Sequence, residues 1–287
     1  MKSIKEFVLV TGMTGAGRGT AAKVLEKLDY YVIDNLPPQM LAQAVAIAEE
    51  SDDIDRLAVV VYARSRTFFA DINDNVEALR RKGVHTHILF LEASDEVLVR
   101  RQEAARRPHP LSKEGRLMDG LARERTLLQT LRARAKIVID TTNLNVNQLG
   151  SRVRAAFEDA ESGGLRASVV SFGYKYGIPM DADMIADMRF LPNPYWVDEL
   201  RPMTGLDRPV RDFVRGQPHA EEFLERYEGT VSLLTDGFIK EDKNFLTICI
   251  GCTGGKHRSV VMAEAFAERL RAHGVRTLVV HRDLGRE

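Results

Sequence analysis

Phe7-Val8-Leu9-Val10-Thr11-Gly12-Met13-Thr14-Gly15-Ala16-Gly17-Arg18-Gly19-Thr20 decides the fold of this chain. An apolar run suited to a buried strand, Phe7–Thr11, enters a glycine-rich turn, and helix-forming residues at Ala21–Leu28 follow it. The glycines fall on the frame G-x-x-x-x-G-K-[ST], with Gly12 and Gly17 in the required places. In that frame, backbone N–H groups and the positive end of the next helix cradle phosphate oxygens. Two positions depart from it. Arg18 replaces the lysine, keeping the charge but bringing a larger, planar fork. Gly19 replaces the Ser/Thr whose hydroxyl holds Mg²⁺. Thr20 comes one position late and points about 100° away around a helix. Nucleotide binding is therefore expected of Gly12–Gly19, with hydrolysis slow at most, the alternative being a glycine-rich strand–helix turn needed only for packing.

Further β runs alternate with helical stretches along the first half of the chain. Strands are expected at Tyr31–Ile33, Leu57–Val61, His87–Leu91 and Ile137–Ile139, and helices at Pro38–Glu50, Ile72–Lys82, Glu96–Arg107 and Arg116–Ala133. This alternation predicts an α/β fold with a parallel sheet covered on both sides, and the glycine frame after its first strand makes the expected domain P-loop NTPase-like. The strand Leu57–Val61 ends in Tyr62, where a magnesium-holding Asp is expected, and Asp34 is the acidic substitute. Arg100, Arg101, Arg106 and Arg107 are either lid groups reaching for phosphate or a solvated helix face. Asp140-Thr141-Thr142 ends a strand, a place suited to ligand contact or to capping the following helix.

The segment from Ala156 to Gly164 reads as a helix end and a linker, dividing the 287 residues into domains at 1–160 and 165–287. Beyond it come a strand at Leu165–Phe172, a proline-rich middle, a helix at Ala220–Leu234 and a closing strand–loop–helix–strand. The composition is that of a globular protein, and Met1-Lys2-Ser3-Ile4-Lys5-Glu6 shows no signal-peptide apolar region, so a cytoplasmic protein with no membrane partner is expected. Forty-one basic residues balance forty-one acidic ones, so net charge offers no support for nucleic acid binding. The two cysteines form a C-x-x-C with Cys249 inside a strand and no second pair to complete a zinc site, so no protein-held metal is expected there.

The closing loop repeats the logic of the first. Cys252-Thr253-Gly254-Gly255-Lys256-His257-Arg258-Ser259 lies between the apolar run Phe245–Ile250 and a helical run from Val260 to Arg271. It has two readings. Thr253–Ser259 is a phosphate-binding turn reinforced by Lys256, His257 and Arg258. The spacing C-x5-R-[ST] is also that of cysteine phosphatases, in which Cys252 attacks phosphorus, Arg258 holds the phosphate, and Asp181, Asp183 or Asp187 supplies the acid. Those enzymes usually carry His before the cysteine, where this chain has Gly251. In the proline-rich middle, Pro192, Pro194 and Trp196 build either a rigid loop with a core anchor or a ligand contact.

Taken in order, these pieces resemble the RNase adaptor protein (RapZ-type) family of bacterial nucleotide-binding proteins. The resemblance runs over essentially the whole length. Besides the two loops it rests on Tyr31-Val32-Ile33-Asp34-Asn35-Leu36-Pro37, Arg64-Ser65-Arg66 and Ile139-Asp140-Thr141-Thr142. It rests also on Ser171-Phe172-Gly173 with Gly177-Ile178-Pro179, Arg189-Phe190-Leu191-Pro192-Asn193-Pro194 and Arg201-Pro202-Met203-Thr204-Gly205. The resemblance implies a P-loop domain that binds ATP and GTP and hydrolyses them slowly. It also implies a C-terminal phosphofructokinase-like α/β domain that senses an amino-sugar phosphate, taken to be glucosamine-6-phosphate, and in some members binds small RNA. By position, Gly12–Gly19 is the ATP loop and Tyr62-Ala63-Arg64-Ser65 the GTP segment, which in relatives usually begins with Asp. Tyr195 stands where RNA-binding members have His, and the tail His281-Arg282-Asp283-Leu284-Gly285-Arg286-Glu287 lacks their basic cluster. The expected protein is a regulator of amino-sugar metabolism, with an RNA-binding adaptor for an RNase and a cysteine-dependent phosphatase as the alternatives. A protein partner and self-association into a homo-oligomer are further expectations.

Overall fold

Phe7, Val8, Leu9 and Val10 are all fully buried, which places the opening strand β1 (Glu6–Gly12) in the middle of its sheet. Burying each such side chain contributes about 1.5–3 kcal/mol. The structure, a computed structural model, describes residues 4–51, 53–62, 67–106, 109–112, 116–158, 165–241, 243 and 245–286. The chain divides into two compact units, Met1–Glu158 and Asp159–Glu287.

In the first unit, β1 is followed by α1 (Arg18–Glu26), β2 (Tyr31–Asp34), α2 (Leu41–Glu50), β3 (Arg56–Val60) and α3 (Thr67–Arg81). Then come β4 (His85–Glu92), α4 (Asp95–Ala105), α5 (Leu117–Arg134), β5 (Ile137–Asp140) and α6 (Val146–Phe157). The strands lie in the order β2-β3-β1-β4-β5, and every pair is parallel. All five C-terminal ends therefore share one edge, and the turn after β1 leaves that edge between β3 and β4, where an open parallel sheet binds ligands.

The differences from the sequence reading have local causes. Pro38–Met40 forms a separate 3₁₀ turn before α2, so the expected helix Pro38–Glu50 is split. The helix expected to reach Arg107 ends at Ala105, because Arg106 adopts a left-handed conformation with φ 50°. Asp140-Thr141-Thr142 does not cap α6. Asn145 does, in a reciprocal capping box with Gln148.

The second unit contains β6 (Arg166–Gly173), β7 (Met184–Asp187), α7 (Arg208–Arg215), α8 (Ala220–Lys240), β8 (Phe245–Cys252), α9 (Arg258–Ala272) and β9 (Arg276–His281). Its sheet, ordered β7-β8-β6-β9, is again parallel throughout. Val169, Ile248 and Ile250 join Met262, Phe266 and Val210 in the larger core, while Val170, Phe172, Cys249 and Val280 form a smaller cluster. Helix α8 runs past the expected Leu234 to Lys240, and β7 and α7 were not anticipated from the sequence. Among the described residues, no helix is long and apolar enough to cross a membrane.

Candidate functional site: two phosphate-type loops

The first loop is shaped by close approach to β4. A Cβ on Gly12 would lie 2.0 Å from the Leu91 carbonyl oxygen, and Gly12, Gly15 and Gly17 all have positive φ. Among the described residues, no partner meets the N–H groups of Gly15, Gly17 or Gly19. Unmatched donors at the start of α1 are the feature an anion would complete.

Arg18 is buried. Its Nη1 donates to the Gly12 carbonyl at 2.7 Å, its Nη2 to Thr14 Oγ1 at 3.2 Å, and its guanidinium lies 4.2 Å from the centre of the Tyr62 ring. The larger fork at the lysine position is thus folded against its own loop. The Tyr62 hydroxyl donates to Asp34 Oδ1 at 2.8 Å, which brings the expected acidic substitute beside the residue it was to replace. Of the GTP segment, Ala63, Arg64 and Ser65 lie outside the described residues.

A carboxylate that carries no motif reaches this loop from α5. Glu124, fully buried, accepts from the Thr14 N–H at 2.9 Å, from the Thr14 hydroxyl at 2.6 Å and from His109 Nε2 at 3.1 Å. The Leu111 N–H donates to His109 Nδ1 at 3.2 Å, so the neutral ring carries its proton on Nε2 and donates to Glu124. Among the described residues, Arg101 is the expected lid arginine that meets the loop, donating to the Gly15 carbonyl at 3.2 Å and to Thr141 Oγ1 at 2.9 Å. Burial lowers its pKa from the usual arginine value, with the charge of Arg100 adding to the effect. Arg100 and Arg106 are exposed, and Arg107 lies outside the described residues.

The second loop leaves the end of β8 and enters α9. A Cβ on Gly255, whose φ is 79°, would lie 2.8 Å from the Gly173 nitrogen, so loop and β6 touch backbone to backbone. Gly251 is explained in the same way: a side chain there would meet the Phe172 ring at 2.5 Å and the Tyr174 ring at 2.7 Å.

Arg258 is buried and donates through Nη1 to the Leu191 carbonyl at 2.8 Å and through Nη2 to Thr253 Oγ1 at 3.2 Å. Its Nε–H is buried and has no partner. Burial pulls the pKa of Arg258 down from the usual value, while Cys252 and Asp187 pull it up. A cavity of about 530 Å³ opens here, lined by Lys175, Asn193, Tyr195, Trp196, Arg201 and the loop residues Cys252–Gly254 and Lys256–Arg258. Trp196 is 76 % exposed, which removes it as a core anchor and makes it part of the cavity wall.

Of the three expected acids, only Asp187 stands at this edge, opposite Gly251 in the sheet. Asp183 receives the Thr247 N–H at 2.8 Å, and Thr247 precedes Cys252 by five strand residues, roughly 17 Å along β8. In the tail, Arg282 and Arg286 both pair with the buried Asp283, which also receives the Gly173 N–H at 2.8 Å.

Residues 5–161 match the family profile described as the RapZ-like N-terminal domain, and residues 165–285 that of the RapZ C-terminal domain. The chain is 53 % identical over 283 residues to a protein of Parafrankia sp. (strain EAN1pec), covering 98 % of each chain. It is 56 % identical over 283 residues to one of Nocardioides sp. (strain ATCC BAA-499 / JS614), covering 98 % of this chain and 94 % of the other. Both relatives are called nucleotide-binding proteins. Among solved structures, shikimate kinase from Bacteroides thetaiotaomicron is similar at 20 % identity and a TM-score of 0.39, over 54 % of this chain and 98 % of that one. A gluconokinase from Sinorhizobium meliloti 1021 is similar at 14 % identity and a TM-score of 0.34, over 53 % and 91 %.

Proposed function

Since the chain belongs to the RapZ family, we propose that it is a regulatory protein with two anion sites, a nucleotide site in the first unit and a phosphorylated-metabolite site in the second. One observation carries the reading: each loop keeps buried or helix-end donors without partners. In the first these are the N–H groups of Gly15, Gly17 and Gly19, and in the second the Nε–H of Arg258. A buried donor left unmet costs about 1–3 kcal/mol, and a phosphate oxygen would recover that.

ATP or GTP would sit on Gly12–Gly19, with Arg18 swinging from the Gly12 carbonyl to the phosphates and the Tyr62–Ser65 segment beside it. The donors of a protein-held Mg²⁺ do not fit. Gly19 has no hydroxyl, β3 runs out into Tyr62, and Asp34 already accepts the Tyr62 hydroxyl. Binding without efficient hydrolysis follows, so the nucleotide acts as a signal more than as a fuel.

In the second unit, the phosphate would lie on Thr253–Ser259, with Lys175, Lys256 and Arg201 adding positive charge and the rings of Tyr195 and Trp196 facing the body of the ligand. A hexose phosphate suits a cavity of about 530 Å³ with one aromatic wall, and glucosamine-6-phosphate is the named candidate. A role in amino-sugar metabolism follows from that ligand.

Paired variants test the assignment. Arg258→Ala should weaken glucosamine-6-phosphate binding at least tenfold, since a charged contact is worth about 1.5–3 kcal/mol, and leave ATP binding unchanged. Arg18→Ala should do the reverse. Equilibrium titration of each ligand against the full chain reads both, and an Arg258→Ala protein that binds sugar phosphate as before would remove the second loop from the site.

A further inference from the structure

We propose that Cys252 is a phosphoryl-accepting nucleophile for phosphate compounds whose leaving group departs without being protonated, namely aryl and acyl phosphates. The inference rests on the reading of the second loop as a phosphate site. It adds an activity that sugar-phosphate sensing does not require.

The loop is folded around the sulfur. The Gly255 N–H donates to Cys252 Sγ at 3.3 Å, and the Cys252 thiol donates to Ser259 Oγ at 3.1 Å. Three residues on, a backbone donor meets the sulfur, and seven residues on, a hydroxyl oxygen accepts its proton. Both contacts fix the position of the sulfur beneath the place where the loop would hold a phosphate. Cys252 is itself part of the cavity wall. Arg258 supplies the independent sign of an anion at this place, because its buried Nε–H is unpartnered while its two Nη groups are fixed on Leu191 and Thr253. Cys252 also borders the larger core, beside Ile250 and Val261, whereas Cys249, on the same strand, lies in the smaller apolar cluster with Val170, Phe172 and Val280 and is not part of the cavity wall.

The choice of substrate class follows from what the cavity lacks. No carboxyl group lines it among the described residues. Asp187 stands at the right edge of the sheet, but Arg189 grips both of its oxygens, with contacts of 2.9 Å from Nε and 2.6 Å from Nη2 to Oδ2 and of 3.0 Å from Nε to Oδ1. That pairing holds the Asp187 carboxyl below its ordinary value, so at neutral pH it has no proton to give. An alkoxide leaving group, as in a sugar phosphate, needs such a proton. A phenolate or a carboxylate does not. The same loop would therefore bind a sugar phosphate intact and transfer the phosphoryl group of an aryl or acyl phosphate.

The step balances with water as the only co-reactant. Cys252 gives its thiol proton to solvent by way of Ser259 Oγ, and Sγ forms the S–P bond while the P–O bond to the leaving group breaks and that group leaves as an anion with the bonding pair. Water then attacks phosphorus, the P–S bond breaks, and sulfur leaves with the bonding pair and takes back a proton from solvent. The protons of the water end on orthophosphate and solvent.

The test uses the full chain under reducing conditions with p-nitrophenyl phosphate, acetyl phosphate and glucosamine-6-phosphate, and follows phosphate release. The first two should turn over and the third should be at least about a hundredfold slower. Cys252→Ser and Cys252→Ala, checked for cooperative thermal unfolding, should both lose turnover, and acid-quenched wild-type protein should carry one phosphoryl group on Cys252 by mass spectrometry. No turnover of p-nitrophenyl phosphate, or turnover that persists in both variants, would overturn the proposal. Titration with inorganic phosphate separates the two claims. If phosphate binds without turnover, the nucleophile fails and the site stands; if phosphate does not bind, the site fails and the nucleophile with it.

Discussion

Glu124 and Arg258 do the same work at the two loops, each tying a glycine turn to chain far away in sequence. Glu124 joins Thr14 to His109, and Arg258 joins Thr253 to Leu191. Replacing Glu124 by Ala leaves the Thr14 N–H without its acceptor and frees the first loop from α5. Chemical denaturation should show a loss of about 2 kcal/mol, and ATP affinity should fall with it. A variant as stable as the wild type would mean that water replaces the carboxylate. Arg258 stood out in the sequence because its spacing from Cys252 is a motif. Glu124 did not, although a trace of it was there. It occupies the apolar stripe Leu121, Leu128, Leu131 of α5, where a carboxylate has no reason to be unless something meets it. Its partner Thr14 is 110 residues away, a distance that helical periodicity cannot span.

At the scale of elements, the strand–loop–helix units were legible because they are local. An apolar run, glycines and a helical run follow one another within about thirty residues, and each states its own geometry. The strands of the first sheet were found with ends shifted by a residue or two. Short elements inside the proline-rich middle were not. Met184–Asp187 has only four residues and its pattern is set by pairing with β8, while Arg208–Arg215 is charged on most of its surface. The strand β9 makes its own prediction. It carries His281, whose Nδ1 lies 2.9 Å from Ser171 Oγ and whose Nε2 lies 3.0 Å from Glu264 Oε1. Burial lowers the His281 pKa from the ordinary 6.5, and Glu264 only partly opposes this. The unfolded chain then takes up the proton first as pH falls. The contribution of His281 to stability is present above pH 6.5 and declines as the pH drops below that value towards the folded pKa. Thermal unfolding followed from pH 8 to pH 5 should show a falling midpoint, and His281→Gln should flatten the part of the slope below pH 6.5. An unchanged slope in that variant would assign the acid sensitivity to other groups.

The molecule as a whole uses one device twice. Each unit is a parallel sheet whose strand feeds a glycine turn and then a helix, and each turn keeps unmet donors at the C-terminal edge of its sheet. The loops nevertheless differ in kind. The first has the glycine frame with Arg18 and Gly19 in place of its Lys and Ser/Thr, and the second has a cavity with aromatic and cationic walls. Family membership fits both halves, because the two domain profiles together span residues 5–285 apart from 162–164. The measurement that tests this account most directly is thermal unfolding of the full chain with ATP, with glucosamine-6-phosphate, and with both, each with and without Mg²⁺. A ligand at about a hundred times its Kd adds roughly 2.7 kcal/mol. The account predicts that each ligand raises the midpoint alone, that the pair raises it further, and that omitting Mg²⁺ alters the ATP effect only slightly. No shift with either ligand would contradict it.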